Sequence, residues 1–288
     1  RRILKDDSKG TSYLAIMAAK DLMAKANLDP LEIDLVIVAT ATADMPVAAT
    51  AAYVATEIGA TNAFGYDLQA ACSSFLFGMS TAAAYIQSGR YKKVVLIGAD
   101  KMSSIVDYTD RATCIIFGDG AGAALFEPNY EGLGLIDEYL RSDGIGRDFL
   151  KIPAGGSLIP TTIDTVKENR HNIIQDGKTV FKYAVTNMAD ASEQILKRNN
   201  LTNEDVNWLV PHQANKRIID ATANRMNLEE SKVLMNIERY GNTTSATLPL
   251  VLSDFENQFK KGDTVIFAAF GGGFTWGAIY LKWAYDKK

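Results

Sequence analysis

The 288-residue sequence predicts an α/β protein built from two related halves. Continuous apolar runs, of which Ile33-Asp34-Leu35-Val36-Ile37-Val38 is the first, alternate with stretches of helical spacing. That is the pattern of sheets covered by helices on both faces. The pattern also returns in the same order. Leu28 precedes Ile33 by five residues, as Leu201 precedes Val206 in Val206-Asn207-Trp208-Leu209-Val210. Val94-Val95-Leu96-Ile97-Gly98 and the later FGDGAGAALF are echoed by Val265-Ile266-Phe267-Ala268 and FGGGFTWGAIY. A helical stretch precedes the leucine each time, and matches repeated in one order point to a duplicated unit.

A helix is expected from about Ser12 to Ala26, ahead of the Ile33 strand. FGYDLQAA reads as a further strand, and SSFLFGMSTAAAYIQSG as a helix with Phe75, Met79, Ala82, Ala83 and Ile86 at helical spacing and Gly89 as its stop. The strand at Val94 and the run from Phe117 close the first half, residues 1–130. Residues 131–178 break the rhythm, with Gly144, Gly146, Pro153, Gly155, Gly156 and Pro160 amid polar residues. This segment reads as an excursion between the halves, either a binding wall or a solvated loop. The second half, 179–288, holds a helix from about Val185 to Asn199, the Val206 strand, a helix from about Thr243 to Phe259, and the paired runs from Val265 and Phe270.

A net charge of −4 leaves no dense basic stripe of the kind a nucleic-acid surface needs. No apolar run approaches the roughly 18 to 20 residues of a membrane span. Two cysteines make no disulfide framework, so a cytoplasmic protein with reduced thiols is expected, with no metal site. The chain opens on Arg1-Arg2-Ile3 without methionine or a signal-like segment and reads as a fragment or processed product.

Cys72 stands between the FGYDLQAA strand and the helix that follows, at a helix N-terminus. Unpaired N–H groups and the helix dipole favour thiolate there, so the expected thiol pKa falls from about 8.5 toward neutrality. A small buried hydrophobe is the alternative, and Cys114 in RATCIIFG fits it better. Of two histidines, His171 falls in the polar excursion. His212 follows Trp208-Leu209-Val210-Pro211 at the C-terminal end of a buried strand, where α/β folds concentrate ligand sites. Asn242, between Gly241 and a helix start, is either an N-cap or a third site residue.

Five longer motifs run in order along the chain: ACSSF around Cys72, DYTDRATCIIFGDGAGAALFEP from Asp107, WLVPHQANKRIIDATA from Trp208, RYGNTTSATLPL from Arg239 and FGGGFTWG from Phe270. Together they resemble the β-ketoacyl-acyl-carrier-protein synthase III family of thiolase-like condensing enzymes, over essentially the whole chain. The resemblance implies a duplicated thiolase-like fold in five αβαβα layers, a homodimer, and a first strand that would precede Arg1. It implies the initiating condensation of type II fatty acid synthesis. Cys72 would take the acyl group of a short acyl-coenzyme A, with acetyl-coenzyme A the expected donor, and malonyl-acyl carrier protein would then condense with it. Both are substrates, and no cofactor is expected. His212 and Asn242 would hold the enolate, and the Cys72 and Gly272 N–H groups the tetrahedral oxyanion.

By the same resemblance Arg111, Asn215 and Arg217 contact coenzyme A or its pantetheine arm. Met45, Met102, Phe117, Ile173 and Phe270 are the candidate acyl pocket, with Met45 contributed across the dimer. Lys182, Arg217 and Arg225 form a candidate surface for acidic carrier protein, or simply solvated helix faces. Ser74 departs from the family, which often has glycine there. Three other readings remain open from the residues: a related condensing enzyme with another acceptor, a Cys-His-Asn thioester hydrolase, and a non-catalytic scaffold, against which the joint presence of Cys72, His212 and Asn242 argues. Phosphate loops are set aside, because neither glycine-rich run ends in Gly-Lys-Ser/Thr.

Overall fold

The computed structural model describes residues 1–286. In the first half, α1 (Thr11–Ala26) leads to β1 (Leu35–Ala39), α2 (Thr50–Glu57), β2 (Phe64–Leu68), α3 (Ser74–Gln87), β3 (Val94–Lys101) and β4 (Asp119–Phe126). β5 (Gly134–Ser142) follows, then short elements β6 (Leu150–Lys151), α4 (Ile163–Lys167) and β7 (Ile174–Gln175). The second half runs α5 (Gly177–Arg198), β8 (Trp208–Pro211), α6 (Lys216–Arg225), α7 (Ile237–Tyr240), α8 (Thr247–Phe255), β9 (Thr264–Gly271) and β10 (Thr275–Lys282).

Two four-stranded sheets form, ordered β2-β1-β3-β4 and β5-β10-β9-β8. In each, a parallel pair is followed by an antiparallel neighbour: β1 with β3 and then β4, β8 with β9 and then β10. The sequence repeat is therefore a repeat of pairing.

Alternation along the strands builds the layers. Leu35, Ile37, Leu96, Val265 and Phe267 point into one central core together with Phe75, Leu76 and Met79 of α3 and Leu248 and Val251 of α8. Their neighbours Val36, Val38, Val95 and Ile97 turn the other way, onto Ala15 and Ala19 of α1 and Val54 of α2. Ile266, Ala268 and Phe270 likewise turn onto Val180, Ala184 and Met188 of α5 and Ile218 of α6. Period-two alternation with both faces apolar can be satisfied only by helices on either side, so the order is helices, sheet, α3 with α8, sheet, helices. Each fully buried side chain of this size contributes about 1.5–3 kcal/mol.

The expected excursion is narrower than 131–178. Gly134–Ser142 pairs with β10 as an edge strand of the second sheet, which a single pass for long apolar runs overlooks because its burial is only partial. α5 also begins at Gly177, about two turns earlier than expected, started by the Asp176 side chain accepting from Thr179 N at 3.1 Å.

Candidate active site

Cys72 lies in a tight turn between β2 and α3, with Ala71 at φ +48° and a 3-10 turn over Ala71–Ser73. A left-handed alanine needs fixing from outside, and several hydrogen bonds supply it. Ala70 N donates to Ser74 Oγ (2.7 Å), which donates to Ala71 O (2.7 Å). Ser73 Oγ donates to Thr275 O (3.0 Å), and Thr275 Oγ1 to Ala70 O (2.8 Å). Ser74 thus clamps the nucleophile turn on both sides, a role that glycine at this position has no side chain to play. Gly271, the last residue of β9, passes against this turn: a Cβ there would lie 2.6 Å from Cys72 N. The N–H groups of Cys72 and of Gly272, beyond the strand end, have no carbonyl or carboxylate acceptor among the described residues.

His212 directly follows β8, its N–H donating to Ala268 O at 2.8 Å. The next residue, Gln213, is buried and bonded to Pro211 O, Leu234 O and Asn236 N, which fixes the loop that carries the imidazole. His212 Nδ1 sits 2.7 Å from Thr247 Oγ1, and Nε2 has no partner among the described residues. Asn242 is held by its main chain, Asn242 N to Ile116 O (3.1 Å) and Gly118 N to Asn242 O (2.9 Å). Its Oδ1 accepts from Thr244 N at 2.9 Å, so the amide NH2 is the end left to act. That local turn is the cap-like arrangement expected of an asparagine here, and it coexists with a place in the cavity.

Asp100, at the C-terminal end of β3, ties the two halves together beneath the site. Fully buried, it accepts from Thr40 Oγ1, Ala41 N and Thr42 Oγ1 of the first half and from Ser245 N and Oγ of the second.

Cys72, His212 and Asn242 are 7%, 3% and 6% exposed, and all three line one cavity of about 460 Å³. Burial reverses the expected electrostatics of the nucleophile. It pushes the Cys72 thiol up to about 12, the Asp100 charge adds to the rise, and the Thr244 and Asn242 side chains pull weakly the other way. The resting group is a thiol, because removing water from a thiolate outweighs the helix N-terminus. Burial also pushes His212 down to about 3, so the imidazole is neutral.

The cavity walls are apolar along α5, at Val180, Ala184 and Met188, and include Phe117 and Phe270. Met102 and Ile173 do not line it; they pack behind Phe117 in a separate small cluster. Met45 is 58% exposed and does not line this cavity in its own chain. Asn215 lines the mouth, where it also caps α6, and Arg217 lies over the Phe181 ring at 4.7 Å. Lys178, which the sequence reading missed, lines the same mouth. Its signal lay in the spacing of Val180, Ala184 and Met188, which extends helix α5 back past the expected start. Arg111 is exposed and not among the cavity walls. Lys182 is exposed on α5. Arg225 is not a free charge: it pairs with Asp190 and with Glu193 at 3.4 Å.

Comparison with known proteins gives a consistent set of matches. The model of 3-oxoacyl-[acyl-carrier-protein (ACP)] synthase III matches residues 66–144, and that of the C-terminal part of the same synthase residues 196–283. The chain is 57% identical to beta-ketoacyl-[acyl-carrier-protein] synthase III 2 of Bacteroides thetaiotaomicron over 288 residues, covering all of this chain and 86% of that protein. It is 53% identical to beta-ketoacyl-[acyl-carrier-protein] synthase III of Chlorobaculum tepidum, across 98% of this chain and 87% of the relative. The crystal structure of 3-oxoacyl-[acyl-carrier-protein] synthase III from Aquifex aeolicus superposes with a TM-score of 0.89 at 36% identity, over 98% of this chain and 87% of the other.

Proposed function

This chain belongs to the 3-oxoacyl-[acyl-carrier-protein] synthase III family, and from that membership and the site geometry we propose how it acts as the initiating condensing enzyme of type II fatty acid synthesis. It is an acyltransferase of the thiolase-like fold. The observation that carries the residue assignment is the convergence of buried Cys72, neutral His212 and the Asn242 amide on one apolar-walled cavity with a basic mouth.

In the first half-reaction the acyl carbon leaves the coenzyme A sulfur and bonds to Cys72 Sγ. The thiol proton ends on the departing coenzyme A. The oxyanion formed on the way is held by the Cys72 and Gly272 N–H groups. In the second, malonyl on the carrier protein loses CO2, and the enolate oxygen accepts hydrogen bonds from His212 Nε2–H and Asn242 Nδ2. A neutral imidazole suits this, since it donates without presenting a full charge to the carboxylate. The enolate carbon attacks the acyl carbonyl, the product leaves as 3-oxoacyl-carrier protein, and the Cys72 thiolate regains a proton from water.

Acetyl-coenzyme A is the proposed donor. Lys178 and Arg217 suit the phosphate of a phosphopantetheine arm, Asn215 its amides, and Arg111 and Lys182 outer contacts with nucleotide and carrier protein. A homodimer is proposed, supported by β2, which among the described residues pairs with a strand on one side only and where Phe64 is 41% exposed. No helix among the described residues is long and apolar enough to cross a membrane. Cys72 and Cys114 are unpaired, which supports a reducing cytoplasm.

Incubation with acetyl-coenzyme A and malonyl-carrier protein should give 3-oxobutanoyl-carrier protein and CO2. Asn242→Ala should keep Cys72 acylation but lose about 10²- to 10³-fold in decarboxylation. Release of free acetate with no carbon–carbon bond formed would make the chain a thioester hydrolase instead.

A further inference from the structure

Asn242 can stabilise an enolate with only one end of its amide. The NH2 donates to the developing oxygen, whereas the carbonyl end would repel it, and the two ends are nearly the same shape. What fixes the choice is Thr244 N, which donates to Asn242 Oδ1 at 2.9 Å and so leaves the NH2 for the cavity. That clasp depends on an unfavourable backbone. Thr244 has φ +54°, a left-handed conformation that a β-branched residue adopts only when its surroundings impose it. Released, the residue would return to negative φ and carry its N–H away from Asn242.

Asp100 supplies the restraint. Its Oδ2 accepts both Ser245 N at 2.9 Å and Ser245 Oγ at 2.5 Å, so the residue next to Thr244 is gripped at two points by a charged acceptor. Its Oδ1 accepts from Thr40 Oγ1 (3.0 Å), Ala41 N (2.8 Å) and Thr42 Oγ1 (2.8 Å), just beyond β1. Those hydroxyls are themselves oriented. Thr40 Oγ1 accepts from Thr42 N at 3.0 Å and Thr42 Oγ1 from Lys101 N at 2.9 Å, which directs their protons to the carboxylate. Ser245 has no room to retreat either, because β3 lies so close that a Cβ on Gly98 would run into Ser245 O. A strut thus runs from the end of β1 through Asp100, Ser245 and Thr244 to the Asn242 amide. None of the hydrogen bonds that hold the Cys72 turn belongs to it.

We propose that Asp100 is a positioning residue for decarboxylation: acting through Ser245 and Thr244, it decides which end of the Asn242 amide faces the malonyl thioester. The inference rests on the reading of Asn242 as a donor to the enolate. It also separates the half-reactions, since acyl transfer relies on the Cys72 and Gly272 N–H groups and not on this strut.

Ser245→Ala removes one of the two grips and keeps the main-chain one. Release of labelled CO2 from malonyl-carrier protein should fall about 10-fold in kcat with KM unchanged, while acetyl transfer to Cys72 stays within about two-fold of wild type; a donor misplaced by a full ångström costs about 10²-fold. Asp100→Asn, measured per folded molecule, should show the same split with a loss of about 10²-fold. The decisive comparison is made in Asn242→Ala. With the amide gone the strut has nothing to aim, so adding Ser245→Ala should lower CO2 release by less than about two-fold more. A role in stability alone predicts the opposite: both half-reactions fall together, and the effects of the two substitutions multiply. Either of those results overturns the inference, as does Ser245→Ala that decarboxylates at the wild-type rate. If Asn242→Ala alone decarboxylates at the wild-type rate, the reading beneath the inference falls instead.

Discussion

Replacing Gly271 with alanine probes how closely the second half presses on the nucleophile. The added Cβ would sit 2.6 Å from Cys72 N, 3.0 Å from Ser73 N and 3.2 Å from Ala70 O, so its nearest contact lies 0.8 Å inside the 3.4 Å at which ordinary contact begins. All three neighbours are backbone, and neither side can yield freely. β9 is paired on both edges, by β8 and β10. The turn is tied to Ser74 and Thr275. Relief therefore takes a displacement of the Cys72 turn approaching an ångström, and a shift of that size in a reacting group costs about 10²-fold in rate. The overpacking itself should cost about 1–3 kcal/mol of stability. Rapid-quench measurement of acetyl transfer to Cys72, with a urea unfolding curve on the same preparation, reads both. Gly271→Ala that acylates at the wild-type rate with unchanged stability would refute the close approach.

Other substitutions and conditions test separate parts of the account. Ser74→Ala frees Ala70 N and Ala71 O from the turn and should cost about 1–3 kcal/mol in urea unfolding, with slower acylation and no change in decarboxylation. Asp100→Asn keeps one acceptor for five donors and turns an NH2 toward some of them; unfolding should show a loss of about 3 kcal/mol or more. His212 has a folded pKa of about 3 against 6.5 unfolded, so below pH 6.5 the unfolded chain binds a proton that the folded chain refuses. Its contribution is fully present above pH 6.5 and lost toward pH 3, about 1.4 kcal/mol per pH unit; unfolding curves should show a shallower pH dependence for His212→Gln than for wild type. Arg217→Glu should raise KM for malonyl-carrier protein, whereas Arg225→Gln, which removes a charge already paired with Asp190 and Glu193, should move it little.

What was legible in the sequence was what depends on order along the chain. The duplicated strand pattern, the turn position of Cys72, the strand-end position of His212 and the loop position of Asn242 are all local, and each maps onto the fold. The direction of the Cys72 shift was not legible, because helix position is a local property and burial beneath two sheets is not. Ser74 looked like a departure because its partners, Ala70 N and Ala71 O, are backbone atoms that a motif does not display. Arg225 reads as a free charge until α5 is laid beside α6, which brings Asp190 within reach from 35 residues away. Met102 and Ile173 are apolar and near the site in the fold, yet Phe117 stands between them and the space they were expected to line. Partial burial hid β5 for the same reason that full burial made β1 and β9 plain.

The most direct test is peptide mass mapping of the protein after acetyl-coenzyme A alone and again after a chase with malonyl-carrier protein. The account predicts one acetyl group on Cys72 per chain, discharged in the chase into 3-oxobutanoyl-carrier protein. Acetyl found on another residue, or lost from Cys72 as free acetate in place of the condensed product, would contradict it.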